Sequence, residues 1–338
     1  MKKGFSRFSH YFEKVNDSMA KAAADKNPAM WLLSNDGRTP FFMLEGLARL
    51  YSKLHNKKTF EKKSQQFKAV EDLLGRIDYF EWLSSSLSKN KDVPDLCINY
   101  IRNKSAESAS ELNDILERKG WLDGKRMRKI EMKIKKTDWM KPDDEVKAVA
   151  AYYKKAIMDI DDFVIKTEYL FDNIEKDVHE LRRRLRWLSI YPQAMQGMFR
   201  YAESRTAPAH LKKYLTPEIV NSPYNKLPAE GNNTCFVIVD KNNFLALSWM
   251  IAKLGSLKDE GLLVTGLSDA LKNGAGYTGN LSLSEAYSRL NQPNGRIQQI
   301  LDEAEAVTKT FIKERCLQHL VVKTTKKIKE PGTGKKVK

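Results

Sequence analysis

Apolar residues recur every three or four positions over most of this chain, the spacing that lines one face of an α-helix. Residues 41–56, FFMLEGLARLYSKLHN, align Leu44, Leu47, Leu50, Tyr51 and Leu54. Residues 59–87 continue the pattern through Phe67, Val70, Leu73, Leu74 and Ile77. The stretch 108–122 predicts a helix capped by Ser108 or Ser110 and stopped at Gly120. Residues 125–136, KRMRKIEMKIKK, keep a seam of Met127, Ile130 and Ile134 between basic positions. The run 143–191 is helical for longer than one ordinary helix and predicts two, broken near Met158–Asp162.

The texture changes at 203–235. Pro208, Pro217, Pro223 and Pro228, with Gly231, Asn232 and Asn233, predict an irregular connection. TCFVIVD, 234–240, is the one β-like run and is too short to define a sheet. Helical spacing returns at 244–255, and 283–321 holds at least one more long helix. KTTKKIKEPGTGKKVK closes the chain as a disordered basic tail, a solubility element or a non-specific polyanion arm. The pattern is all-α, a two-lobed helical bundle of two four-helix-bundle-like repeats. We place the halves at 1–135 and 136–321 and the tail at 322–338.

Charge sharpens this picture. Lys and Arg total 59 against 43 for Asp and Glu, a net charge of +16 on 338 residues. That excess favours polyanionic partners such as nucleic acid, polyphosphate or an anionic membrane surface. Cys97, Cys235 and Cys316 stand far apart without zinc-type spacing, and fit a reducing cytosol better than a disulfide framework. The basic start lacks an apolar signal-peptide core, and no apolar run is long enough to span a membrane.

The densest chemistry lies in VHELRRRLRWL, residues 178–188. On a helix, Val178, Leu181, Leu185 and Leu188 share one face, and His179, Arg182, Arg183 and Arg186 form a stripe almost opposite. Like charges stacked this way repel by a few tenths of about 1 kcal/mol per pair. Either neighbouring carboxylates neutralise the stripe or an anionic ligand does. Arginine suits the ligand because its planar fork grips phosphate oxygens bidentately and keeps its charge. His179 adds charge as pH falls toward its pKa.

VHELRRRLRWL resembles the signature helix of the conserved histidine α-helical domain (CHAD) family: a histidine, an arginine three residues on, then arginines among leucines. The family's other element, Leu-Gly followed by an acid and an apolar run, is matched twice. LGSLKDEGLL gives Leu254, Gly255 and Asp259; LGRIDYFEWL gives Leu74, Gly75 and Asp78, one residue shorter in spacing. The first repeat departs from the pattern, because MLEGLARLYSKLH has no histidine–arginine helix and only Arg49, Lys53 and Lys57 supply charge. The resemblance implies a non-catalytic, cytoplasmic bacterial protein that binds inorganic polyphosphate and associates with polyphosphate granules, without metal or cofactor. It assigns binding to His179, Arg182, Arg183 and Arg186, with Arg49 and Lys53 as weaker contacts, and makes Asp78 and Asp259 structural partners of the basic helices.

Other motifs carry less. DIDD, 159–162, matches the acid motif of class II terpene cyclases over too few residues, and reads better as a capped or solvated acidic turn. IEMKIKK has the acid–base alternation of triphosphate tunnel enzymes but lacks their strands. No H-E-x-x-H, phosphate-binding glycine loop or G-x-S-x-G is present, and the tryptophans sit at packing positions. Two alternatives to polyphosphate binding remain. One is a nucleic-acid-binding protein using residues 125–136 and the lysine tail. The other is a structural or partner-binding protein whose basic faces meet its own carboxylates.

Overall fold

A computed structural model of the protein describes residues 2–202, 206–278 and 280–326. Helices dominate it, in the order α1 (Lys3–Ala22), α2 (Pro28–Ser34), α3 (Arg38–Leu54), α4 (Lys57–Leu87), α5 (Asp95–Arg118), α6 (Lys125–Lys135), α7 (Pro142–Lys166), α8 (Glu180–Ala194), α9 (Pro217–Asn221), α10 (Lys241–Ala275), α11 (Asn280–Arg289) and α12 (Arg296–Lys313). The apolar seams predicted for α3, α4 and α6 are buried, apart from the partly buried Leu54 at the end of α3, and Gly120 ends α5 with a positive φ of 69°. The α5 start differs from expectation. It lies at Asp95, and Ser108 sits mid-helix, donating to the Lys104 carbonyl instead of capping.

The break in the 143–191 run also falls later than its sequence suggests. α7 continues through the DIDD segment to Lys166, where Asp161 accepts a hydrogen bond from Gln318. It stops at Glu168 and Tyr169, which adopt left-handed φ values of 51° and 59°. The chain re-enters helix as a π-helical turn, Ile174–His179, leading straight into α8. Asn173 caps this turn by accepting from the Glu175 and Lys176 amides, and the Asp177 carboxylate accepts from the amides of Asp172 and Asn173.

Cys235–Val239, judged too short to define a sheet, is the buried central strand of one. β1 (Phe199–Tyr201) pairs with β2 (Cys235–Val239) in parallel, and β3 (Val321–Lys326) pairs with β2 antiparallel. Five consecutive buried residues in β2 explain the unbroken apolar run. Residues 322–326, assigned from composition to a disordered tail, therefore form a strand, because β2 offers its free edge; the remaining tail, 327–338, lies outside the described residues.

The boundary expected at 135/136 falls in the turn between α6 and α7, but the core does not break there. One apolar cluster runs from Phe5 on α1 to Leu320 before β3, and a smaller one fills the space among α4, α5, α10 and α11. α10 is the long spine, about 50 Å at 1.5 Å per residue, capped by Asp240 and closed by Gly276 in the left-handed region (φ 78°). Cys97, Cys235 and Cys316 are buried and unbridged. No helix among the described residues is long and apolar enough to cross a membrane.

Candidate functional site

The arginine helix packs as its periodicity requires. Val178, Leu181, Leu185 and Leu188 are at most 1% exposed, which turns the opposite face of α8 away from the core. That face borders a cleft of about 430 Å³ between α3 and α4 on one side and the π turn and α8 on the other. His179, Arg182, Arg183 and Arg186 all line it, and so does Arg49 from α3. Lys53 does not. It is exposed one helical turn beyond Arg49, where the turning of α3 carries it past the cleft mouth.

Residues without a sequence signal complete the walls. Arg38, Phe42 and Glu45 come from α3, Lys68, Glu71 and Asp72 from α4, and Glu175, Glu180 and Trp187 from the π turn and α8. Six arginine or lysine cations thus face five carboxylates, and the pairing among them decides what the cleft can hold. Arg183 and Arg184 both donate to Glu180, Lys68 pairs with Asp72, and Arg38 bridges Glu71 at 2.8 Å and Asp78 at 3.1 Å. Of the arginines in the predicted stripe, Arg183 is neutralised while Arg182 and Arg186 are not, and Asp78 pairs with Arg38 of α3. Asp259 instead pairs with Lys258 at 2.7 Å while drawing on Arg182 electrostatically.

Arg182, Arg186 and Arg49 have no carboxylate partner among the described residues. Arg182 donates from Nε to the Ile251 carbonyl at 3.2 Å, leaving its terminal nitrogens to the cleft. Arg186 lies 4.3 Å over the Phe42 ring, Phe42 stacks on Trp187 at 5.1 Å, and Arg49 covers Trp187 at 5.0 Å. This alternating ladder fixes the guanidiniums without neutralising them. Burial, followed by the charges of Arg182 and Arg38, pushes Arg186 down to about 10. Arg182 is lowered by burial, an effect that Asp259 opposes and Arg38 reinforces. His179 lies below its ordinary value, chiefly through burial, with Glu175 opposing and Lys258, Arg182 and Arg183 adding to the effect. Its Nδ1 is buried without a hydrogen bond. It is therefore neutral at pH 7 and gains charge only at more acidic pH than an ordinary histidine.

Two helix crossings repeat one arrangement. Gly75 on α4 lies under the Arg38 guanidinium, and Gly255 on α10 lies under that of Arg182. A Cβ would stand 2.5 Å from Arg38 Nη2 in the first case and 2.9 Å from Arg182 Nε in the second. Glycine lets an arginine from the crossing helix lie flat on the helix surface. The arginine at the Gly75 crossing is thus Arg38, not Arg49 or Lys53. Four residues before each glycine the two crossings differ. Glu71 neutralises Arg38, whereas the Ile251 position offers Arg182 only a backbone carbonyl. Arg182 keeps its charge without a paired carboxylate.

Glu45 adds pH sensitivity. It is 3% exposed, and burial with the nearby Glu71 carboxylate raises its carboxyl to about 7 from an ordinary 4.5. A raised folded-state pKa stabilises below the unfolded value and loses that contribution as pH rises through the folded one. Glu45→Gln is therefore expected to be more stable than the native chain at pH 8, on the order of 2 kcal/mol, and equal to it near pH 4.5. Urea midpoints at both pH values check this; a constant difference between them excludes Glu45 as the titrating group. No family model, curated protein or solved structure matches the chain.

Proposed function

We infer that the cleft binds phosphate-bearing anions, with inorganic polyphosphate the first ligand to test. The observation that carries this is Arg186, a largely desolvated guanidinium facing a cleft with no carboxylate of its own. A largely desolvated cation without a paired carboxylate is costly in the ligand-free protein, and an oxyanion offsets the cost through charge-assisted, bidentate hydrogen bonds. Arg182 supplies a second fork, Arg49 a third cation, and neutral His179 a donor or acceptor. The resemblance of VHELRRRLRWL to the CHAD signature points to the same chemistry.

A second phosphate-attracting face has its own support. Lys63 on α4 is 5% exposed and lowered to about 8, first by burial and then by Lys133, Arg126 and Lys62. These cations come from α4 and the basic helix α6, and Arg126 Nε is buried without a partner. That crowding favours the nucleic-acid alternative at this face.

The test is binding of long-chain polyphosphate across a salt series, with duplex and single-stranded DNA as competitors. Three cleft guanidiniums predict a log–log salt slope near −2, about 0.7 per neutralised phosphate on a flexible chain. The variant Arg49→Gln/Arg182→Gln/Arg186→Gln is expected to lose binding while remaining folded. Binding that survives in this variant, with a much steeper slope and ready displacement by DNA, refutes the cleft as the site and transfers the function to the α4–α6 face.

A further inference from the structure

A second cavity of about 430 Å³ adjoins the cleft, and the two share Phe42, Arg182 and Arg186 as a common wall. Its character differs. Met43 and Ile190 line it beside Ile219 and Ile251. Its two amide side chains are already engaged. Gln193 donates to the carbonyls of Tyr224 and Lys226, and Asn225 donates to the Ile219 carbonyl while accepting from the Ser248 hydroxyl at 2.5 Å. A nucleobase needs several open hydrogen-bonding partners at its edge, and with both amides engaged the walls offer little beyond the Ser189 and Ser222 hydroxyls. Inside the cavity no aromatic face is free, because Arg186 covers Phe42 and Trp187 stacks against it, and only Tyr224 at the rim offers an open ring. The result is a mainly apolar slot that begins at two cations.

We propose that the ligand of this protein is an organic phosphate with an aliphatic tail, its phosphate held by Arg182 and Arg186 and its tail in the second cavity. The proposal rests on the phosphate-binding function inferred above and narrows its substrate class. Charge complementarity fixes the head at the shared arginines, and the continuous wall leads the tail away from the five carboxylates of the cleft. Both compartments are of the size that ligand pockets occupy. Tyr224, 77% exposed, stands at the rim of the slot, where a seated tail would cover its ring.

Calorimetric titration of the full chain with methyl phosphate, hexyl phosphate and tripolyphosphate tests this. The native chain is expected to bind hexyl phosphate at least about tenfold tighter than methyl phosphate, since each buried methylene contributes about fourfold. Ala252→Trp fills the slot from the exposed side of α10, and is expected to bring that ratio near one while tripolyphosphate affinity holds. Met43→Trp, filling it from α3, is the second variant and gives the same loss of discrimination if the first disturbs folding. Equal affinity for the two esters in the native chain, with tripolyphosphate still bound, overturns the tail slot and leaves phosphate binding standing. A preference for hexyl phosphate that survives both variants also overturns it. Failure of all three ligands removes both inferences.

Discussion

Replacing Arg7 with methionine is expected to destabilise the protein by about 3–5 kcal/mol. Arg7 on α1 is 3% exposed and donates in three directions: Nε to the Met195 carbonyl at 3.0 Å, and Nη1 to the Tyr51 hydroxyl at 2.6 Å and to Glu145 at 2.7 Å. Tyr51 donates in turn to Glu145 at 2.5 Å. This network joins α1, α3, α7 and the turn after α8, so it sets how the two walls of the cleft meet. Removing only the arginine leaves the Glu145 carboxylate, 2% exposed, without its counter-charge. That desolvated charge, more than the lost contacts, accounts for the cost. The double variant Arg7→Met/Glu145→Met removes both charges and is expected to recover most of the stability. Urea midpoints of the two singles and the double give the coupling. If the double variant loses the sum of the two single losses, the pair is not coupled and the network does not hold the walls.

Much of this fold was legible because its signals are local. A helix announces itself by periodicity, so the seams of α3, α4 and α6 and the apolar face of α8 could be read from single segments. The same periodicity put His179, Arg182, Arg183 and Arg186 on one outward face, and all four line the cleft. What could not be read depends on pairing across the chain. β3 becomes a strand because β2 presents an edge, and nothing in VVKTTK itself outweighs its polar composition. The late end of α7 depends on two residues taking left-handed backbone, which neither Glu168 nor Tyr169 advertises.

The site divides in the same way. Glu180 lies three and four residues before Arg183 and Arg184, so their neutralisation was visible along the sequence. Glu71 reaches Arg38 across a helix crossing, and no spacing reveals it. Arg38 escaped notice because it begins α3 just before Thr39-Pro40, where proline is tolerated only because the first amides of a helix need no partner. Arg38 precedes the apolar periodicity, which begins at Phe41 and carries Arg49 and Lys53 beside it. One of these reaches the cleft and the other does not, because four residues advance slightly more than a full turn and α3 ends at Leu54.

Arg186→Met is expected to separate stability from binding. In the ligand-free protein Arg186 contributes a charge held at a loss, lowered to about 10 by burial and by its neighbours Arg182 and Arg38. Methionine keeps a long flexible chain against Phe42 and removes that charge. The ligand-free variant should therefore gain about 1–2 kcal/mol. Its affinity for tripolyphosphate should fall about a hundredfold, the equivalent of one bidentate charge-assisted contact. Arg186→Lys retains charge but not the planar fork, so its affinity should lie between the two. A neutralised structural face predicts the reverse signature: Arg186→Met would lower stability through lost stacking and leave phosphate affinity unchanged. Urea denaturation and calorimetric titration on the same three proteins separate these outcomes. A variant that is more stable yet unable to bind identifies Arg186 as a residue kept for its ligand, whose anion supplies the counter-charge that the fold withholds.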